Sequence, residues 1–299
     1  MNREIYRVGI DGGGTGTRAI LADRDGQVLG QGAGGPSGLA LGIESAWASI
    51  ETACRAAFAD AGLRFDWSAC ALGCGLAGVN NPDWLAAFHA QAPGVAALAV
   101  ESDAYTTLLG AHGGEPGVIV ALGTGSIAAA LDEHGVCTLS GGYGFPAGDE
   151  ASGAWFGLRA LAHAQQALDG RVPMDALARA LLDHIGASTR DELVIWSTAA
   201  RQTAYASLAP IVFAHRAHAL SAQWIAQAAA DIAGMVGALD PGGCRPVALC
   251  GGLAHRLLGD VPPVLQARLR APLADSAQGA LQLAGHALAQ LPTAIAPAR

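Results

Sequence analysis

Apolar runs and polar breaks alternate along this chain in an order that repeats. Residues 6–10 form a short apolar run ending at Asp11, and Gly12-Gly13-Gly14-Thr15-Gly16-Thr17 follows. A second apolar run at residues 17–22 leads through Asp25-Gly26 to a third at residues 27–30. Asp-Gly between apolar runs is a hairpin signal. Gly14-x-Gly16-x-x-Ala19 loosely matches a dinucleotide fingerprint, but that motif must open a helix. Here it sits inside strand–turn–strand, which excludes it. After a Gly/Pro loop at residues 32–38, Ile43, Trp47, Ile50, Cys54, Phe58 and Ala61 recur at spacings of three and four. That spacing predicts a helix closed by Gly62. A strand is predicted at 70–76, and a helix at 83–91 with Trp84, Leu85 and Phe88 on one face. A strand at 95–100 and a helix at 104–112 follow. The order β-β-β-α-β-α-β predicts a mixed sheet flanked by helices.

The same pattern begins again at residue 118. Residues 118–122 read as a strand, 123–126 as a Gly-Thr-Gly-Ser turn, and 127–131 and 136–139 as strands joined through His134-Gly135. Such an internal repeat points to two units built alike. A helix from about 152 to 168, mostly helical chain to 239, a core strand at 246–249 and a terminal helix at about 276–289 complete the reading. The expected domains are residues 1–115 and 116–299, with the terminal helix free to return to the first.

Composition removes whole classes of chemistry. All 17 basic side chains are Arg, and there is no lysine. A Walker A loop, a protein kinase and a Schiff-base enzyme each need one. Any phosphate must therefore be met by backbone N–H groups, Arg or a metal. The net charge of -8 argues against a nucleic-acid partner. Glycine makes up 41 of 299 residues, about twice the usual share, which suggests tight turns and close approach of backbone to ligand. Residues 1–14 offer no apolar signal region, and no apolar stretch reaches the roughly 18 residues of a membrane span. A cytoplasmic protein without a membrane partner is expected. The six cysteines form no CxxC pair and sit mostly in apolar segments, so buried reduced thiols are expected. His215 and His218, spaced i,i+3, have no ligand cluster beside them in sequence, and no metal site is expected there.

Three glycine-rich points carry the candidate chemistry: the turns at 12–17 and 123–126, and Gly251-Gly252 after the last strand. Such turns expose N–H groups that bind phosphate oxygens without lysine, and Thr15, Thr17, Thr124 and Ser126 add hydroxyls. Asp11, ending the first strand, could hold Mg²⁺ beside a triphosphate or cap the turn. Asp103, ending another strand of the same sheet, could accept a proton from a hydroxyl or cap the next helix. Asp149-Glu150 could cap a helix or bind sugar or metal. Arg18 reads as solvated or paired, and the tryptophans at 47, 84, 155, 196 and 224 as packing residues.

Asp11-Gly-Gly-Gly-Thr15-Gly-Thr17, Leu122-Gly-Thr-Gly-Ser126 and Cys250-Gly-Gly-Leu-Ala254 resemble the phosphate-1, phosphate-2 and adenosine motifs of the actin/hexokinase/Hsp70 ATPase superfamily. Ser102-Asp-Ala-Tyr-Thr-Thr-Leu-Leu-Gly-Ala-His112, Gly141-Gly-Tyr-Gly-Phe-Pro-Ala-Gly-Asp149 and Ser152-Gly-Ala-Trp-Phe-Gly-Leu-Arg159 resemble the bacterial glucosamine and N-acetylglucosamine kinases, within the group of the BadF/BadG-type activator ATPases. The resemblance implies an α/β protein of two RNase H-like domains with a ligand cleft. It implies ATP at Gly12, Gly13, Gly14, Thr15, Thr17, Gly123, Thr124, Gly125, Gly251 and Gly252, with Mg²⁺ near Asp11. It implies Asp103 as catalytic base, and an amino sugar at Ser37, Gly38, Asp103, Ser126, Gly142, Tyr143 and Asp149.

The family usually offers the sugar an Asn from the loop before the first helix. Here Gly38 or Ser37 stands at that place. The expected activity is ATP-dependent phosphorylation of the 6-hydroxyl of glucosamine or N-acetylglucosamine, with a homodimer as the expected assembly. The rival is an activator ATPase driving a partner enzyme through an iron–sulfur cluster, which needs exposed cysteines. Cys70 and Cys74 lie in a predicted core strand.

Overall fold

The computed structural model describes residues 4–290. The chain divides into two units. One comprises the residues up to Glu115 together with those from Pro272 onward, and the other runs from Pro116 to Ala271. The second unit therefore stops well short of the C-terminus.

In the first unit, β1 (Tyr6–Gly12), β2 (Thr17–Ala22) and β3 (Val28–Gly34) are followed by α1 (Ile43–Asp60), β4 (Cys70–Leu76), α2 (Pro82–Ala90), β5 (Ala97–Ser102) and α3 (Asp103–His112). The sheet order is β3-β2-β1-β4-β5. Strands β1, β4 and β5 run parallel, and β2 is antiparallel to both its neighbours. Strand β4 is buried at every position, which is why its sequence is a continuous apolar run rather than an alternation. Helix α1 buries Trp47, Ile50, Cys54 and Phe58 on the predicted face. Burying Phe58 fully is worth roughly 1.5–3 kcal/mol. On α2, Phe88 is buried but Trp84 is exposed, so the expected common face holds only in part.

Strand β3 continues through Gly34, into the stretch expected to be loop. Its glycines are there for α1. A Cβ at Gly32 would lie 2.1 Å from the Ala53 carbonyl oxygen, so a bare strand lets the helix settle against it.

The second unit opens with β6 (Gly117–Leu122), β7 (Ser126–Leu131) and β8 (Cys137–Gly141). Then come α4 (Gly153–Leu168), α5 (Ala176–Ile185), α6 (Arg190–Ala199), α7 (Gln202–Ala206), α8 (Ala209–Ala214) and α9 (Ala219–Leu239). Strand β9 (Val247–Cys250), α10 (Ala254–Leu257) and α11 (Pro263–Gln266) close it. The sheet order β8-β7-β6-β9 matches β3-β2-β1-β4 strand for strand, with the same directions. Core residues from β6, β7, α4, α5, α8 and α9 pack together, including Val120, Phe156, Leu181, Phe213 and Ile232.

The last helix, α12 (Ser276–Ala289), belongs to the first unit. Asp275 caps it by accepting from the Gln278 N–H. Thr106 and Ser276 hydroxyls, 2.8 Å apart, tie it to α3. A Cβ at Gly73 in β4 would meet the Ala280 carbonyl at 2.0 Å, so the helix lies directly on the sheet. Among the described residues no helix is long and apolar enough to cross a membrane.

Three of the six cysteines, Cys54, Cys70 and Cys74, are buried as expected. Cys244 is exposed and Cys137 and Cys250 are partly so, because they lie near turns and strand ends rather than in mid-core.

Candidate active site

Parallel pairing brings two of the expected residues to one edge of the first sheet. Gly12 lies opposite Leu76 in β4, and Leu76 lies opposite Ser102 in β5. Two steps of about 4.8 Å separate the ends of β1 and β5. This is the carboxyl edge of the parallel strands, where α/β proteins gather ligand groups. Asp103 is the first residue of α3, and the cap is Ser102, whose Oγ accepts from the Tyr105 N–H at 3.1 Å. That removes capping as the role of Asp103. Its Oδ1 accepts from the adjacent Ala104 N–H at 2.9 Å. Burial raises the Asp103 pKa; the Ala104 amide opposes this in part, and the nearby Asp11 charge adds to it. A carboxylate lifted in this way is better matched to removing a hydroxyl proton near neutral pH.

The turn after β1 is closed by Gly13 N–H donating to the Gly16 carbonyl at 3.1 Å. The Gly13 carbonyl in turn accepts from the N–H groups of Ser37 and Gly38, each at 3.1 Å. Thr17 Oγ1 donates to the Gly35 carbonyl at 2.6 Å and lies 2.7 Å from Ser37 Oγ. Ser37 is fully buried, and a Cβ at Gly12 would fall 2.0 Å from its Oγ. Residues 35–38 are thus clasped onto the turn. The hydroxyls of Thr17 and Ser37 are spent inside that clasp, whereas Gly14 and Thr15 stand exposed.

Beside the turn lies a hollow of about 410 Å³ lined by Asp11, Gly13, Thr15, Arg18, Ala33 and Gly34. Arg18 donates to Asp11 Oδ2 and to Asp275 Oδ2, each at 2.8 Å, so it is the paired strand residue its position suggested.

The second unit repeats the device. Gly123 N–H donates to the Gly125 carbonyl at 2.9 Å, closing the turn after β6. The N-terminus of α4 packs behind it, with Gly153 and Ala154 N–H donating to the carbonyls of Gly123 and Thr124. Ser126 is buried and its hydroxyl donates to the Glu150 carbonyl at 2.5 Å, so it too braces a loop. The Gly251-Gly252 turn is joined to the same strand end: Leu253 N–H donates to the Leu122 carbonyl at 3.0 Å. Gly251 has φ +88, and a Cβ there would lie 2.5 Å from that carbonyl, so glycine is required.

The loop after β8 carries Gly142 at φ +71 and Tyr143, which is 90% exposed. Asp149 has φ +62 and is buried. Its carboxylate accepts from Gln202 Nε2 at 2.7 Å. Burial pushes its pKa up, against the backbone groups of Ser126 and Gly144 and the Gln202 amide, which favour the charged form. Ser152, not Asp149 or Glu150, caps α4. Gln202 had no signal in the sequence. It lies in a five-residue helix with no motif, and only folding brings it to Asp149.

The sequence matches the profile of the BadF/BadG/BcrA/BcrD ATPase family over residues 8–284. It is 35% identical to the glucosamine kinase GspK of Vibrio cholerae over 283 residues, covering 94% of this chain and 96% of that one. It is 26% identical to the N-acetyl-D-glucosamine kinase of Dictyostelium discoideum, covering 71% of each. A crystal structure from Chromobacterium violaceum, described as a candidate N-acetylglucosamine kinase, superposes with a TM-score of 0.91 at 48% identity, covering 94% of this chain and 99% of that one. The repeated sheet order, the paired glycine turns and this match across most of the length lead to one conclusion: the chain belongs to the BadF/BadG/BcrA/BcrD ATPase family.

Proposed function

We infer that this chain is an ATP-dependent kinase for an amino sugar, transferring the γ-phosphoryl group to the 6-hydroxyl of glucosamine or N-acetylglucosamine. The observation that carries the reading is Asp103. It leaves β5 in register with the glycine turn after β1, is relieved of capping by Ser102, and has its pKa raised by burial. In the proposed reaction the Asp103 carboxylate orients the sugar hydroxyl and takes its proton as the oxygen attacks phosphorus. The N–H groups of residues 14–15 and 124–125, which are not used to close the turns, hold phosphate oxygens, with the Thr15 and Thr124 hydroxyls beside them. This is how a chain without lysine manages phosphate. The bare backbone at Gly251 and Gly252 admits the adenosine.

Asp11 offers a hard oxygen donor beside these N–H groups, a donor set that fits a Mg²⁺ keeping water and phosphate ligands. When bound, the ion would offset charge on the transferred group. Gly38, Gly142, Tyr143 and Asp149 form the proposed sugar contacts. Thr17, Ser37 and Ser126 serve by holding the loops that present them. A cytoplasmic location and a homodimer complete the proposal; the first follows from ATP as donor. The activator-ATPase reading has little support, because Cys70 and Cys74 are buried in β4 with thiols pushed up to about 12. Cluster ligation needs thiolates.

A coupled assay of ADP release against glucosamine, N-acetylglucosamine and glucose tests the reading. Turnover with the amino sugars is expected to exceed that with glucose. If glucose gave the highest kcat/KM, the amino-sugar assignment would fail.

A further inference from the structure

Within the second unit, three ligand-type side chains from distant parts of the chain meet. His163 lies midway along α4, Asp175 is the residue before α5, and His218 is the residue before α9. Nε2 of each imidazole lies 3.0 Å from the same atom, Asp175 Oδ2. His163 Nε2 is also 3.2 Å from Oδ1. One donor atom from each residue falls within 4.8 Å of the others. The expectation of no cluster around His218 is therefore corrected. Its partner is not the neighbouring His215, whose Nδ1 meets the Ile211 carbonyl at 2.9 Å, but His163 on another helix.

We propose that His163, Asp175 and His218 bind one divalent transition-metal ion of the Zn²⁺ type, which staples α4 to the starts of α5 and α9. The donor set is the first reason. Two imidazoles and one carboxylate suit Zn²⁺, whereas Mg²⁺ and Ca²⁺ prefer oxygen throughout. Geometry is the second. Zn–N and Zn–O bonds of about 2.0–2.2 Å at tetrahedral angles set donor atoms roughly 3.3–3.6 Å apart. The two N···O separations here are 3.0 Å, so an outward shift of a few tenths of an ångström admits the ion.

Orientation is the third reason. Asp175 Oδ1 accepts from the Ala178 N–H at 2.8 Å, which fixes the carboxylate with Oδ2 toward the imidazoles. Access is the fourth. His163 is 5% exposed at its side chain, but Asp175 and His218 are 28% and 25% exposed, so a water can complete the coordination.

The competing account is a hydrogen-bonded clamp in which each imidazole donates from Nε2 to Asp175. His218 Nδ1 accepts from the Leu220 N–H at a long 3.3 Å, which suits that tautomer in the metal-free chain. Ion binding moves the imidazole proton from Nε2 to Nδ1 and gives up this one long contact. No electron is transferred, and each neutral ring keeps its proton.

The experiment titrates metal-stripped full-length protein with Co²⁺, competes with Zn²⁺, and records thermal midpoints with each ion. The wild type is expected to take up about one Co²⁺ per chain with the visible d–d absorption of a tetrahedral site, to lose it to Zn²⁺, and to melt higher with Zn²⁺. His218→Ala and Asp175→Asn should weaken binding by at least the roughly 10–100-fold that an outer-shell change costs. Asn can still cap α5, which keeps the second variant folded. Three outcomes overturn the proposal: no such absorption in the wild type; equal binding by His218→Ala, which would put the ion on thiols such as Cys244; or a wild-type midpoint indifferent to Zn²⁺ while His218→Ala melts lower, which would leave the clamp alone. The readout is ion binding, so it stands or falls apart from the sugar-kinase reading.

Discussion

Replacing Gly13 by alanine adds one methyl group at a place where the fold has room and a phosphate would not. A Cβ there meets no atom within 4 Å, and its φ lies outside the left-handed region. Gly12 and Gly125 are different. A Cβ at Gly12 would strike Ser37 Oγ, and one at Gly125 would lie 2.7 Å from Asp149 Oδ2 and 3.2 Å from Gln202 Nε2. Substitution at either would confuse folding with binding. Gly13→Ala should instead stabilise the chain by about 0.4–1 kcal/mol, because alanine has fewer unfolded conformations to lose.

Nucleotide binding should move the other way. Gly13 lines the hollow beside the turn. Displacing a phosphate oxygen from one backbone N–H forfeits a charge-assisted bond worth about 1.5–3 kcal/mol. At about 1.4 kcal/mol per decade, ATP affinity falls roughly 10–150-fold. Calorimetric titration with ATP and a urea unfolding curve on the same sample provide both signs. A protein that melts later and binds worse cannot be explained by damage to the fold. Unchanged ATP affinity beside the expected stabilisation would refute the phosphate role of this turn.

Asp103→Asn should fold, since Ser102 supplies the cap, and lose roughly 10²–10⁴-fold in kcat; retention of more than about a tenth of the wild-type rate would remove it as base. Its raised pKa also has a sign for stability. The folded state holds this proton more tightly than the unfolded state, so the carboxylate costs stability as pH rises through the folded pKa. The variant should therefore resist urea better than wild type at neutral pH, with the gap closing in acid; equal midpoints at both pH values would contradict the shift. Gln202→Ala takes one donor from a buried carboxylate and should lower stability by about 1–3 kcal/mol in urea unfolding, while an unmoved midpoint would make that contact dispensable. Gly38→Asn is accommodated, with φ -59 and a Cβ in ordinary contact at 3.5–3.6 Å from Gly13 and Gly14; it should widen the kcat/KM ratios among glucosamine, N-acetylglucosamine and glucose on the order of tenfold, and unchanged ratios would remove this loop from sugar choice.

What could be read from the sequence, and what could not, divides by range of interaction. Strand β4 and helix α12 have the bounds their patterns predict, because an apolar run closed by polar or glycine positions is local information. Both glycine turns, and the place of Asp103 at the junction of a strand and a helix, were legible for the same reason, although β5 ends at Ser102 and Asp103 opens α3. The true cap of α3 was not separable from Asp103 by spacing alone, since Ser102 and Asp103 are both good N-cap residues. Strand β3 hid its last residues, because glycines that admit α1 look like loop. Gln202, and the meeting of His163 with His218, depend on contacts between elements far apart in the chain. No periodicity encodes those.

The two units solve one problem in the same way, and the shared solution explains why some hydroxyls fall silent. In each sheet a glycine turn joins the first strand to the second, and the second strand opens with a hydroxyl residue, Thr17 or Ser126. Each hydroxyl is buried, and each donates to a carbonyl in the loop that follows the third strand, at Gly35 or Glu150. A hydroxyl in a phosphate-binding motif is easily assumed to touch phosphate. Here the hydroxyl fixes the position of the neighbouring loop, and in the proposed site it is the exposed backbone of the turn that meets the ligand. Those loops carry Gly38 on one unit and Asp149 on the other. The groups proposed for nucleotide and for sugar are therefore joined within each unit by short hydrogen bonds, so a disturbance at either turn is felt by the loop beside it.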